Sequence, residues 1–120
     1  MKKITAALIA LILVSCYHDN AEELYPNGPC IDPPTITYSS TVTGILTSYG
    51  CINCHNATTT SGGVNLDGYA NVKAKVDDEG LMRAITHTDG YTPMPYNLPK
   101  MSVCDINRIR AWIIGGAHQN

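Results

Sequence analysis

Charge is scarce in this chain: Asp, Glu, Lys and Arg make up 15% of its 120 residues, against roughly 25% in an ordinary globular domain. No basic stripe is offered to nucleic acid, and none to anionic lipid. Long apolar runs are lacking as well, since the stretch from Ile4 to Val14 is too short to span a bilayer. Cys51 and Cys54 have no second ligand pair at short spacing, which a zinc site needs, and no βαβ pattern around them, which a thioredoxin-like dithiol needs. Thr, Ser, Asn and Gly crowd the middle of the chain and leave a thin supply of core. A domain this small then requires a staple, such as a disulfide or a metal.

What is present begins with an export signal. Lys2 and Lys3 precede the apolar run, and a small residue, Ser15, follows it, which is the layout of a signal peptide over residues 1–15. Leu13, Val14, Ser15 and Cys16 resemble the lipobox of bacterial lipoproteins, which implies lipidation at Cys16 and a mature chain from there to Asn120. Removing Lys2 and Lys3 leaves six basic residues against ten acidic ones, a mature net charge of −4. Residues 16–34 read as a flexible tether, because Pro26, Gly28, Pro29, Pro33 and Pro34 with Asp19, Glu22 and Glu23 resist helix. His18 within it is a solvated side chain. Residues 35–120 form one domain.

Cys51, Ile52, Asn53, Cys54 and His55 spell C-x-x-C-H, the attachment signature of c-type haem. Two thiols at this spacing can each add to one vinyl group of a porphyrin, and the adjoining histidine is placed to ligate the iron. The helix that leads into the motif is predicted from Ser39 or Ser40 to Tyr49, with Val42, Ile45, Leu46 and Tyr49 on one face and Gly50 as its stop. Asn56 to Asn65 reads as a loop. Leu66, Tyr69 and Val72 suggest one short helix, and Leu81, Met82 and Ile85 another, with Val76 to Gly80 as an acidic turn between them.

Thr92, Pro93, Met94 and Pro95 present a second iron ligand. The prolines fix φ and disfavour helix at the residues before them, so the Met94 thioether has little freedom left to lose. His87 is a rival ligand that gives a bis-histidine site, though a histidine at a helix end is more often a surface group. Met101 is another rival, but Ser102 reads as an N-cap with Asp105 at N3, which puts Met101 and Ile106 at the two positions of a hydrophobic staple. The last helix is predicted over Val103 to about Ile114, ending at Gly115 and Gly116, with His118 a bystander in a frayed tail.

These features together resemble the class I (mono-haem) cytochrome c family, in its bacterial lipoprotein form, over about Ser39 to Ala117. In that family a G-P-N-L-x-G turn follows the haem motif. Here it reads Gly63, Val64, Asn65, Leu66, Asp67, Gly68. The resemblance implies that the Val64 carbonyl accepts the proton of His55 and that Leu66 packs on the porphyrin. It also implies Met94 as the family's M-P ligand and a last helix crossing the first. The family often has glycine eight residues before the first haem cysteine, where this chain has Thr43 with Gly44 one place later, so the crossing is expected to shift.

The expected fold is all-α: a small helical domain wrapped around one covalent haem c. The expected function is single-electron transfer between a redox protein donor and acceptor, not bond-making catalysis, with the membrane engaged through the lipid and no nucleic acid partner. The location implied is the bacterial cell envelope, on the periplasmic side or the cell surface. A haem-based sensor or peroxidase-like protein with a labile distal ligand is the alternative of another class, and a fixed haem subunit of a respiratory complex is a third. Cys30 and Cys104 remain after Cys16 and the haem pair. In an oxidising compartment such a pair is more often bridged, although two separately buried thiols fit the sequence too.

Overall fold

Thr37 starts the ordered domain. Its hydroxyl accepts from the Ser40 amide, and its carbonyl accepts from both Thr41 and Val42, each at 3.1 Å. That shared acceptor opens the helix as a π turn, Tyr38–Val42, which runs straight into α1 (Thr43–Ser48). The computed structural model describes Cys30 and residues 32–120. The signal segment, Cys16, His18 and nearly all of the tether lie outside the described residues.

Gly50, at φ +68°, turns the chain out of α1 and into the single turn α2 (Cys51–Cys54). A residue with a side chain would pay a steric cost in that left-handed conformation. A 3₁₀ turn, Ser61–Gly63, interrupts the long loop. Then come α3 (Tyr69–Asp77), α4 (Gly80–Ile85) and α5 (Val103–Ile114). The fold is helical, and among the described residues the only β feature is an isolated bridge between His55 and Thr60. The acidic turn expected over Val76 to Gly80 is shorter than that: Val76 and Asp77 belong to α3, and the chain reverses at Asp78 and Glu79. Glu79 takes φ +60°, and the Asp78 carboxylate accepts from the Gly80 amide at 2.9 Å.

The core is one cluster built from Val42, Leu46, Val72, Ile85 and Ile109, all fully buried, with Trp112 and Tyr38 beside them. Tyr38 meets Tyr69 edge-on at 5.2 Å and lies tilted against Trp112 at 5.6 Å, geometries that suit aromatic quadrupoles. α5 packs on the π turn and on α4. The contact with the first helix therefore falls at Tyr38–Val42. Gly44 takes no part in a close approach, since a Cβ there would meet nothing within 4 Å.

Ser102 caps α5 by accepting from the Asp105 amide at 3.1 Å, and Met101 and Ile106 are both buried. The tail is not frayed. The Trp112 indole donates to the His118 carbonyl, Tyr69 donates to the Ala117 carbonyl, and Asn120 accepts from the amides of Tyr38 and Ser39. These bonds pair residues up to 82 positions apart, beyond the reach of any local pattern. A disulfide joins Cys30 to Cys104, with their Cα atoms 5.4 Å apart. Asp32 pairs with Arg108 at 3.2 Å. The described end of the expected tether is thus fastened to α5.

Candidate functional site

The single turn α2 puts Cys51 and Cys54 three residues apart, so both thiols project to one side of the helix. Both are free, Cys51 half-buried and Cys54 exposed. Burial pushes the Cys51 thiol up; a backbone hydrogen bond partly offsets this, and neighbouring Cys54 adds to the rise. The Cys51 thiol is therefore kept protonated at neutral pH.

His55 is the C-cap of α2 and the one buried polar or charged residue among the described residues. Its backbone is fixed on both sides: the amide donates to the Cys51 carbonyl at 2.9 Å, and the carbonyl accepts from Leu66 at 2.8 Å. The Leu66 bond docks the Gly63–Gly68 loop onto the motif and buries the Leu66 side chain. Asn56 braces the turn that follows. Its amide group donates to the Ile52 carbonyl at 2.8 Å, while its side-chain oxygen accepts from Thr58 and Thr59. Nothing in the reading of the sequence singled out Asn56, although an Asn ahead of a Thr run is a recognisable Asx-turn signal.

The Nδ1 of His55 is buried with no hydrogen-bond partner. This corrects the expectation for Val64, whose carbonyl was to accept that proton. The reason lies in the missing proline. Val64 sits at φ −100°, away from the roughly −65° that a proline ring imposes, and the loop engages His55 through the Leu66 amide instead. Leaving a buried imidazole nitrogen unpaired costs about 1–3 kcal/mol. No hydrogen bond engages either nitrogen of the ring among the described residues, so Nε2 is left for a partner that is not a protein group; directly behind two free thiols, the residues fit a covalently held haem.

Met94 is half-buried and lies in a segment with a cis Met94–Pro95 bond. Its amide donates to the Ala84 carbonyl at 3.1 Å. Its carbonyl accepts from His87 Nε2 at 3.0 Å. Among the described residues no hydrogen bond joins Met94 to His55 or to the two cysteines. His87 spends a ring nitrogen on the Met94 backbone, which weakens its standing as a rival ligand. Met101, 3% exposed, packs in the core.

No three His, Cys, Asp or Glu side chains gather as a metal cage among the described residues. A cleft of about 360 Å³ opens beside α1, bordered by Leu46, Thr47, Ile52 and Leu66. None of the two free thiols, His55 or Met94 lines it, so the chemistry of the site does not converge there. Residues 51–96 match the family model described as Planctomycete cytochrome C. No curated protein and no solved structure gives a significant match.

Proposed function

We propose that this chain, whose residues 51–96 match the Planctomycete cytochrome C family model, is a single-electron carrier holding one haem c. The observation that carries this reading is His55: a buried imidazole whose ring makes no hydrogen bond among the described residues, contiguous with two free thiols. Cys51 and Cys54 would hold the group by thioether bonds, each sulfur joining a vinyl carbon while its proton passes to the other carbon of that vinyl, so no oxidant is consumed. His55 and Met94 would be the residues that hold the haem iron. When bound, the haem would supply a one-electron couple, and imidazole with thioether ligation would raise its potential relative to two histidines.

The protein's own contribution is rigidity and exclusion. Both backbone bonds of His55 hold the ring at a fixed depth, Leu66 and the core residues around it keep water away, and the bonds of the Met94 backbone to Ala84 and His87 would hold its thioether ready for the iron. Partners are redox proteins acting as donor and acceptor. Lipidation at Cys16 tethers the domain to the cell envelope of a bacterium, outside the cytoplasm.

Acid-acetone extraction tests the central claim on protein matured in a host that attaches haem c. The haem is expected to stay with the polypeptide, and to be lost from the Cys51→Ala, Cys54→Ala double variant. Haem that leaves wild-type protein with the solvent overturns the reading.

A further inference from the structure

Pro93 and Pro95 have no N–H, so Met94 supplies the only backbone donor of the three-residue stretch 93–95. That donor goes to the Ala84 carbonyl. The same carbonyl accepts from the His87 amide at 3.2 Å, and the Met94 carbonyl accepts from the His87 ring at 3.0 Å. One turn at the end of α4 therefore holds both polar groups of the Met94 backbone. Because a carbonyl can only accept, His87 Nε2 carries the proton in this contact.

His87 also sits at φ +57°. Non-glycine residues seldom take that left-handed conformation, and a helix end that merely needs it commonly uses glycine. A ring is kept here despite the steric cost, and the ring reaches the backbone of Met94. We infer that His87 is a positioning residue, whose ring holds the Met94 backbone so that the thioether stays on the haem iron. The inference rests on the reading of Met94 as distal ligand.

The test uses haem-loaded protein in the ferric state and two readouts, the weak long-wavelength absorption of methionine-ligated haem and the rate of cyanide binding. His87→Gly removes the ring and leaves the left-handed backbone free. His87→Gln puts an amide N–H at the reach of Nε2. His87→Asn tolerates the backbone but stops one atom short, and it serves where the glycine variant fails to fold. Wild-type protein is expected to show the absorption and to bind cyanide slowly. His87→Gly and His87→Asn should weaken the absorption and speed cyanide binding about tenfold, the factor that a hydrogen bond of ordinary net strength changes in an equilibrium. His87→Gln should recover most of the wild-type behaviour. A wild-type absorption that the glycine or asparagine variant leaves intact, with cyanide binding within about twofold, overturns the inference alone. Wild-type protein without the absorption overturns the reading of Met94, and the inference with it.

Discussion

The two ends of this molecule satisfy their polar groups in opposite ways. Around α5 the polar groups that secure the fold find partners within the chain: the Trp112 indole, the Tyr69 hydroxyl, the amides of Tyr38 and Ser39, and the thiols of Cys30 and Cys104. Around α2 the side chains with the most reactive chemistry do not, since Cys51 and Cys54 are free and His55 Nδ1 is buried and unpaired. The backbone near α2 is nonetheless firmly held, by Leu66 on His55 and by Asn56 across its turn. A framework that is closed at one end and chemically open at the other is what a small domain needs in order to present a cofactor site without losing its fold.

The disulfide is the largest test of the closed end. It spans 74 positions, and the chain-entropy model assigns a loop of that length about 4 kcal/mol. Cys30→Ser with Cys104→Ser should lower the melting temperature of the haem-loaded protein by roughly 20 °C, at about 4–8 °C per kcal/mol for a domain of this size. Calorimetry checks it. The absorption spectrum should stay as it was, because the bond touches α5 and not the motif. A melting temperature within a few degrees of wild type would show that Asp32, Arg108 and the tail hold that end without the disulfide.

The two methionines sharpen the comparison further. Met101 is buried in the core, whereas Met94 is half-buried and bonded only through its backbone. Met101→Ala should cost about 3 kcal/mol of unfolding free energy, within the range for emptying a buried methionine site, and leave the spectrum unchanged. Met94→Ala should do the reverse: abolish the long-wavelength absorption, admit carbon monoxide to the ferrous protein, and change stability less. Denaturant unfolding and ligand titration on both variants decide the assignment, and a spectrum that follows Met101 instead of Met94 reverses it.

Much of this was legible in the sequence because its causes are local. C-x-x-C-H, the apolar spacing of α1 and α5, and the Ser102 cap with Met101 and Ile106 about it depend on residues within a few positions of one another. The turn at Asp78 and Glu79 was placed too broadly because Val76 is apolar and joins the core from the last turn of α3. The tail was misread for a different reason: its partners are Tyr38, Ser39 and Tyr69, distant in sequence. Whether the Val64 carbonyl meets the His55 ring depends on φ, which the residue's identity does not give, and the His87 ring faces a carbonyl seven residues on. No spacing rule carries that contact.

The smallest effect expected lies where the two ends join. Ser102 accepts from the Asp105 amide and donates to the Asp105 carboxylate at 3.0 Å, while its own amide donates to the Tyr49 hydroxyl at 3.0 Å. Tyr49 in turn donates to the same carboxylate, which Arg108 engages from its other oxygen at 2.8 Å. The network thus ties the residue that closes α1, just ahead of the motif, to the first turn of α5. Ser102→Ala removes the cap and one carboxylate contact but keeps the backbone bond to Tyr49, so the loss should be about 1 kcal/mol, the usual worth of a serine cap. Ser102→Thr keeps the hydroxyl and should stay within a few tenths of wild type. Thermal unfolding of the two variants separates the outcomes. A loss above about 3 kcal/mol for the alanine variant, beyond any ordinary cap, would mean that this serine, and not the shared core, couples the closed end of the molecule to the open one.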